Sequence, residues 1–170
     1  MRPAEELGGD RGGKRESANY KRLDDETSIW WCAECGAVYR QPSDSCALRF
    51  GALLALDHSR REPWGSRHGL AFAAFALQHP QRHAASLDRA WATLFRIYVV
   101  GDRPDQVFER LRTIASGVPP EWLVLPRPSA PVEPPRMTIV DMGEFVADRY
   151  AAQLDDWCRA SLAMWGHPVV

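Results

Sequence analysis

A run of nine residues from Gly69 to Leu77 is apolar at every position, and this run limits the fold more than any other segment. It is far too short to span a bilayer, which takes about 20 apolar residues. A helix that is apolar on all its sides has to be buried against other elements. The run therefore predicts a central, buried helix over residues 66–78, which Pro80 ends.

Four other segments carry apolar residues at helical spacing. The predicted helices cover residues 43–58, 86–101, 104–117 and 138–166. Thr138 and Asp141 resemble a capping box at the start of the last helix, which Gly143 interrupts. The seven prolines of residues 118–136 predict an extended loop before that helix. These patterns predict an all-α bundle of about five helices.

The first 28 residues are polar, rich in Gly, Arg, Glu and Asp, and show no periodicity. Such a composition is typical of disorder, so residues 1–28 are predicted to form a disordered tail. Three large apolar residues, Ile29, Trp30 and Trp31, then need something to pack on. Ordered structure is therefore predicted to begin there, and residues 29–170 have a suitable length for a single helical domain.

A Cys-x-x-Cys-Gly motif follows at Cys32, Cys35 and Gly36. Two intervening residues let both sulfurs turn toward one ion, and the glycine permits the tight turn that follows. Zinc takes four ligands, commonly thiolate and imidazole. Cys46 lies in the first turn of the first predicted helix, where the helix N-terminus favours its thiolate, and it is the third candidate ligand. The motif therefore predicts a structural zinc knuckle.

The fourth ligand is chosen between His68 and His79, which share one face of the second predicted helix. They are eleven residues apart in the sequence. That spacing separates them by roughly 16 Å along the helix axis, so one ion cannot bind both. Because a histidine on a buried helix needs a polar partner, His68 is the predicted fourth ligand. The predicted metal ligands are thus Cys32, Cys35, Cys46 and His68.

Other interpretations of the cysteines and histidines stay open. A redox-active Cys-x-x-Cys pair would need a βαβ context, which the sequence does not show. Cys158 is expected to be a small core residue. His79 and Asp57 are candidates for a polar site with a proton-transfer group, although His79 before Pro80 also suits a plain helix end. No catalytic residue is assigned, because the sequence contains no nucleophile elbow, phosphate-binding loop or dinucleotide motif.

The net charge of −1 argues against an electrostatic grip on nucleic acid or on an anionic membrane. The start of the chain has no apolar stretch of signal-peptide type, which predicts a cytoplasmic protein with reduced thiols. Arg60, Arg61 and Arg67 lie near Trp64 in the sequence, an arrangement that could contact nucleic acid but is more typical of a solvated loop.

Several of these motifs together resemble an uncharacterised bacterial family of domains of unknown function. They are the knuckle Cys32-Ala-Glu-Cys35-Gly36, a lone Cys46 that opens a helix, His68 before Gln78-His79-Pro80, and a tryptophan-rich last helix. The resemblance covers residues 30–166 and implies a helical fold and a metal site, with no known reaction. Members tend to carry an acidic residue and a tyrosine where this chain has Ala73 and Phe75, so a site that used the acidic group would be altered here.

The leading functional hypothesis is a small zinc-stabilised helical protein with a binding or regulatory role and a protein partner. The first alternative is a metal-dependent enzyme, in which three side chains bind zinc and water takes the open position. The second alternative is a nucleic-acid adaptor. The number of side chains around the ion discriminates between the leading hypothesis and the enzyme.

Overall fold

The computed structural model describes residues 20–22, 29–114 and 121–167. Its principal elements are five α-helices. They are α1 (Cys46–His58), α2 (His68–Gln78), α3 (Leu87–Phe95), α4 (Pro104–Thr113) and α5 (Ala147–Ala163). The predicted helical fold is confirmed, with a small sheet added at the N-terminal side.

This small sheet is antiparallel and precedes the helices. Its strands β1 (Tyr20–Arg22), β2 (Trp30–Cys32) and β3 (Val38–Tyr39) lie side by side in that order. β1 lies within residues 1–28, the segment that the sequence predicts to be a disordered tail. The rest of that segment, up to residue 28, lies outside the described residues. The division into a tail and a single domain stays a prediction.

α2 is the central helix of the domain, as its apolar run predicts. From Leu70 onward every residue of α2 except Phe72 is buried. The helix packs against α3 and α5, and it also contacts α1. The rings of Phe75 on α2 and Phe50 on α1 stack with their centroids 3.9 Å apart. Burial on all sides therefore fixes the position of α2 relative to three other helices.

The C-terminal end of α2 is held by buried hydrogen bonds. The indole of Trp157 on α5 donates to the side-chain oxygen of Gln78 at 2.9 Å. The amide nitrogen of Gln78 donates to the carbonyl of Met137 at 2.8 Å. The indole of Trp165 donates to the carbonyl of Leu77 at 3.0 Å. These contacts fix the last turn of α2 and therefore the residue that follows it.

The last helix begins later than predicted. Thr138 does pair with Asp141: its backbone N–H and its hydroxyl each donate to Oδ2 of Asp141 at 2.7 Å. However, these residues form a turn, and Gly143 adopts a left-handed φ of 61° after it. α5 starts only at Ala147. The pairing of the two side chains was therefore predicted, but it closes a separate turn instead of starting the helix.

The third and fourth helices end close to their predicted bounds. α3 continues into a π-helical turn over Arg96–Val100, and Gly101 ends it with a φ of 86°. α4 ends at Thr113, and the predicted end at Gly117 lies outside the described residues. The described part of the proline-rich loop, from residue 121 to 136, is irregular apart from one short turn at Glu121–Leu123.

Replacing Trp157 by phenylalanine tests the buried bond that holds the end of α2. The variant leaves the buried side-chain oxygen of Gln78 without its donor, so we expect a loss of about 2–4 kcal/mol in the free energy of unfolding. Urea unfolding followed by far-UV circular dichroism measures it. Trp122→Phe is the matched control, because Trp122 is only half-buried. Equal losses for the two variants would contradict this role of the bond.

Candidate metal centre and a histidine–aspartate pair

The knuckle brings Cys32 and Cys35 together at a tight turn between β2 and β3. The backbone N–H of Gly36 donates to the carbonyl of Cys32 at 2.9 Å, and that of Cys32 donates to the carbonyl of Ala37 at 2.9 Å. Gly36 has a φ of 74°, which is costly for a residue with a Cβ atom. The two cysteines are buried within this turn.

Cys46, the first residue of α1, completes a group of three sulfurs. Its Sγ lies 3.5 Å from Sγ of Cys35, and its side chain is buried. The sequence prediction that Cys46 joins the knuckle is consistent with this position. Cys158, in contrast, lies on α5 with its thiol near the carbonyl of Leu70, and it is fully buried outside the group.

His79, the residue directly after α2, is the fourth member of the cluster. One ligand atom from each of Cys32, Cys35, Cys46 and His79 lies within 4.8 Å of all the others, and all four residues are buried. The sequence analysis chose His68 as the fourth residue, but the cluster that the described residues form contains His79 in its place. His68 has a different polar partner, as described below.

The imidazole of His79 is oriented by Phe75, one turn earlier on α2. Its Nδ1 lies 2.9 Å from the carbonyl oxygen of Phe75, which can only accept, so Nδ1 carries the proton. The two rings also stack at a centroid distance of 4.1 Å. Nε2 is buried and has no hydrogen-bond partner among the described residues. A nitrogen lone pair is thus left beside the three sulfurs.

The three thiols share their protons unequally. Hydrogen bonds from Cys35 and Cys46 lower the pKa of Cys32 far below its usual range. The same hydrogen bonds, together with burial, raise the pKa of Cys35 and of Cys46. Because zinc binds sulfur as thiolate, metal binding at this cluster would release the protons that the sulfurs carry.

These atoms suit zinc in both chemistry and spacing. In a tetrahedral site with Zn–S bonds of about 2.3 Å, neighbouring sulfurs lie about 3.8 Å apart. The Cys35–Cys46 separation of 3.5 Å and the 4.8 Å limit for the whole cluster require only small adjustments. The Nδ1–H bond to a carbonyl is also the usual support for a histidine ligand. A redox interpretation lacks support, because the motif lies in an antiparallel hairpin and not in a βαβ unit.

His68, at the start of α2, forms a pair with Asp57 of α1. Nδ1 of His68 lies 3.1 Å from Oδ2 of Asp57. The carboxylate is completely buried, whereas 45% of the histidine side chain is exposed. The predicted polar site of His79 and Asp57 is thus divided: His79 belongs to the cysteine cluster, and Asp57 belongs to His68.

The carboxyl group of Asp57 is buried, which disfavours its charged form. Burial raises its pKa, and the hydrogen bond to His68 opposes this effect only in part. Its second oxygen, Oδ1, has no hydrogen-bond partner among the described residues. A buried carboxyl group with one satisfied oxygen destabilises a fold, which is common at functional sites.

The arginines near Trp64, which the sequence analysis considered for nucleic-acid binding, are not part of the cysteine cluster or of the His68–Asp57 pair. The guanidinium of Arg61 lies over the ring of Trp64, 5.9 Å from its centroid, and the indole of Trp64 donates to the carbonyl of Phe145. Arg60 adopts a left-handed φ of 57° in the same loop. Among the described helices, none is both long and apolar enough to cross a membrane.

The fold and the cluster together define a class of protein. It is a small helical domain with a buried group of three cysteines and one histidine, to which a Cys-x-x-Cys knuckle, the start of α1 and the end of α2 contribute. The chain belongs to the family of unknown function DUF5946, whose sequence profile matches residues 31–166. The resemblance stated from the knuckle and the Gln-His-Pro motif is therefore confirmed. No curated protein and no solved structure matches the chain.

Replacing Asp57 by asparagine tests the cost of its buried carboxyl group. Because burial raises its pKa, the folded state holds this proton more tightly than the unfolded chain does. The stability that Asp57 contributes is therefore present below its ordinary pKa and declines as the pH rises through the folded-state pKa. The Asp57→Asn variant has no carboxyl group at this position, so its stability does not show this decline. Relative to the parent protein, it should become more stable as the pH rises above about 4, the ordinary pKa of an aspartate.

Urea unfolding of both proteins across this pH range measures the difference. The pH effects of groups away from Asp57, including those of the cysteine cluster, are common to the two proteins and cancel, whereas His68 loses its partner carboxyl group in the variant. Asp156→Asn is the matched control, because Asp156 is exposed on α5. A difference between Asp57→Asn and the parent that stays constant with pH, as expected for the control, would contradict the assignment.

Proposed function

We propose that the chain binds one zinc ion through Cys32, Cys35, Cys46 and His79, and that it acts as a zinc-stabilised binding or regulatory module. The observation that carries this proposal is Nε2 of His79. It is a buried lone pair without a hydrogen-bond partner among the described residues, beside three sulfurs. A buried polar atom of this kind costs about 1–3 kcal/mol unless something binds it, and a zinc ion would do so.

A structural role for the ion is supported by the number of ligands. Four side chains lie close enough to fill a tetrahedral shell, and all four are buried. A catalytic zinc site would keep one position for water or substrate. The enzyme alternative therefore lacks support at this cluster.

The ion would join three parts of the chain. The knuckle supplies two ligands, the start of α1 supplies Cys46 and the end of α2 supplies His79. Glu34 of the knuckle reaches the same region, where its carboxylate accepts from the backbone N–H of Gln81 at 2.8 Å. Strands of two or three residues have little stability of their own, so such attachment is what would keep the knuckle folded.

A binding role with a protein partner is proposed because the four described side chains of the cluster are enough to fill the shell of the ion, which leaves no position for a substrate. The nucleic-acid alternative has less support: the net charge is −1, and Arg61 stacks on Trp64 within its own loop. No described observation identifies the partner, so the proposal is limited to the module and its ion.

Metal analysis of the purified protein provides the first test. We expect about one zinc ion per chain, and chelation should lower the melting temperature. Cys46→Ser should weaken zinc binding by more than about 100-fold, since it removes a ligand. Cys158→Ser is the matched control, because this buried cysteine lies outside the cluster. A zinc content near zero in the parent protein, or equal loss in both variants, would overturn the proposal.

Cobalt substitution tests the fourth ligand. Cobalt(II) bound by three thiolates and one imidazole gives intense tetrahedral d–d bands, which report the donor set directly. We expect His79→Ala to lose or strongly change these bands, and His79→Cys to restore a tetrahedral spectrum shifted toward four sulfurs. His68→Ala should leave the bands unchanged. A change with His68→Ala and none with His79→Ala would return the fourth position to His68.

A further inference from the structure

A cavity of about 570 Å³ lies between α2, α3 and α4, apart from the cysteine cluster. Its apolar wall includes the rings of Phe72 on α2 and Phe108 on α4. Phe108 packs directly on Gly69, where a Cβ atom would collide with the ring. This volume is in the range of small-molecule sites in proteins.

The ionisable side chains of the cavity wall are all basic. They are His68 on α2, Arg89 on α3 and Arg112 on α4, and no acidic residue is among the described residues that line it. Neither arginine forms an ion pair with a described carboxylate. One nitrogen of Arg89 donates to the carbonyl of Leu111 at 3.3 Å, which holds this guanidinium across the space between α3 and α4.

The orientation of His68 in the cavity wall is set by the buried carboxyl group of Asp57. Its Nδ1 is engaged by Asp57, which sets the ring orientation and leaves Nε2 for another partner. The side chain is nearly half exposed and lines the cavity. A buried carboxylate that orients a partly exposed histidine beside a cavity is an arrangement found in ligand-binding and catalytic sites.

We propose that this cavity binds a small organic anion with an apolar body, such as a carboxylate or a phosphate ester. Arg89 and Arg112 bind the anionic group, since guanidinium forms strong paired hydrogen bonds to carboxylate and phosphate. The phenylalanine rings cover the apolar body, and His68, oriented by Asp57, forms a hydrogen bond with a polar group of the ligand. Its binding groups are separate from those of the zinc proposal, because none of the four cluster residues lines the cavity.

Nuclear magnetic resonance titration of the full chain tests the site with three probes of one shape. They are 3-phenylpropionate, 3-phenylpropyl phosphate and the neutral 3-phenylpropanol. We expect one or both anions to shift the backbone amide signals of residues that line the cavity on α2, α3 and α4. The alcohol should bind about tenfold more weakly, since it lacks a charge for the arginines.

Matched variants show whether the named side chains are responsible. Arg112→Ala should weaken binding of the anions about tenfold, whereas Arg110→Ala, which removes an exposed arginine outside the cavity wall, should not. His68→Gln should weaken the anions as well. Both arginines are exposed, so the folded state of these variants is easily confirmed from their spectra.

The proposal is overturned if no probe shifts these amide signals at about 10 mM. It is also overturned if the alcohol binds as tightly as the anions, or if Arg110→Ala weakens binding as much as Arg112→Ala. If only one of the two anions binds, the result supports the site and identifies the anionic group that it prefers. The zinc content is measured in the same samples, so failure of this site is distinguishable from failure of the metal centre.

Discussion

The structure depends on the burial of α2, of which every residue from Leu70 to Gln78 except Phe72 is buried. A helix without a polar face has nowhere to place polar side chains except at its two ends, and each end of α2 carries them. His68 at the start pairs with Asp57, and Gln78 near the end pairs with Trp157. His79, just beyond the end, keeps one nitrogen for the carbonyl of Phe75 and one for the sulfurs. Both candidate sites are therefore consequences of one buried helix.

Sequence patterns predicted the helices well because burial and amphipathicity repeat along many residues. The apolar run predicted a central helix, and Cys46 was placed beside the knuckle because it lies near the N-terminus of α1. The late start of α5 was missed since Thr138 and Asp141 form the same local contact in an isolated turn as in a capping box. A local side-chain contact of this kind does not indicate whether a helix follows it directly.

The fourth residue of the cluster was missed for a different reason. The choice between His68 and His79 depended on which imidazole lacked a polar partner, and this is a matter of tertiary contacts. Asp57, the last residue but one of α1, satisfies His68. The position of His79 directly after α2 looked like a plain helix end, although that end is where the chain meets the start of α1 and the knuckle. The Gln-His-Pro motif was a usable signal: Gln78 anchors the end of α2, and the buried His79 belongs to the cluster.

The proposed zinc site and the proposed anion site both use α2. The cluster lies at the C-terminal end of α2, and the cavity lies along its N-terminal half, where His68 is roughly 16 Å from His79 along the axis. An ion that fixes the end of α2 would also fix the wall that His68, Phe72 and Ala73 form. A closed metal centre would therefore serve the cavity by holding its shape, without contributing a ligand or a charge to it. One helix thus connects the cysteine–histidine cluster at its C-terminal end with His68 at its start, where the buried carboxyl group of Asp57 on α1 is the partner.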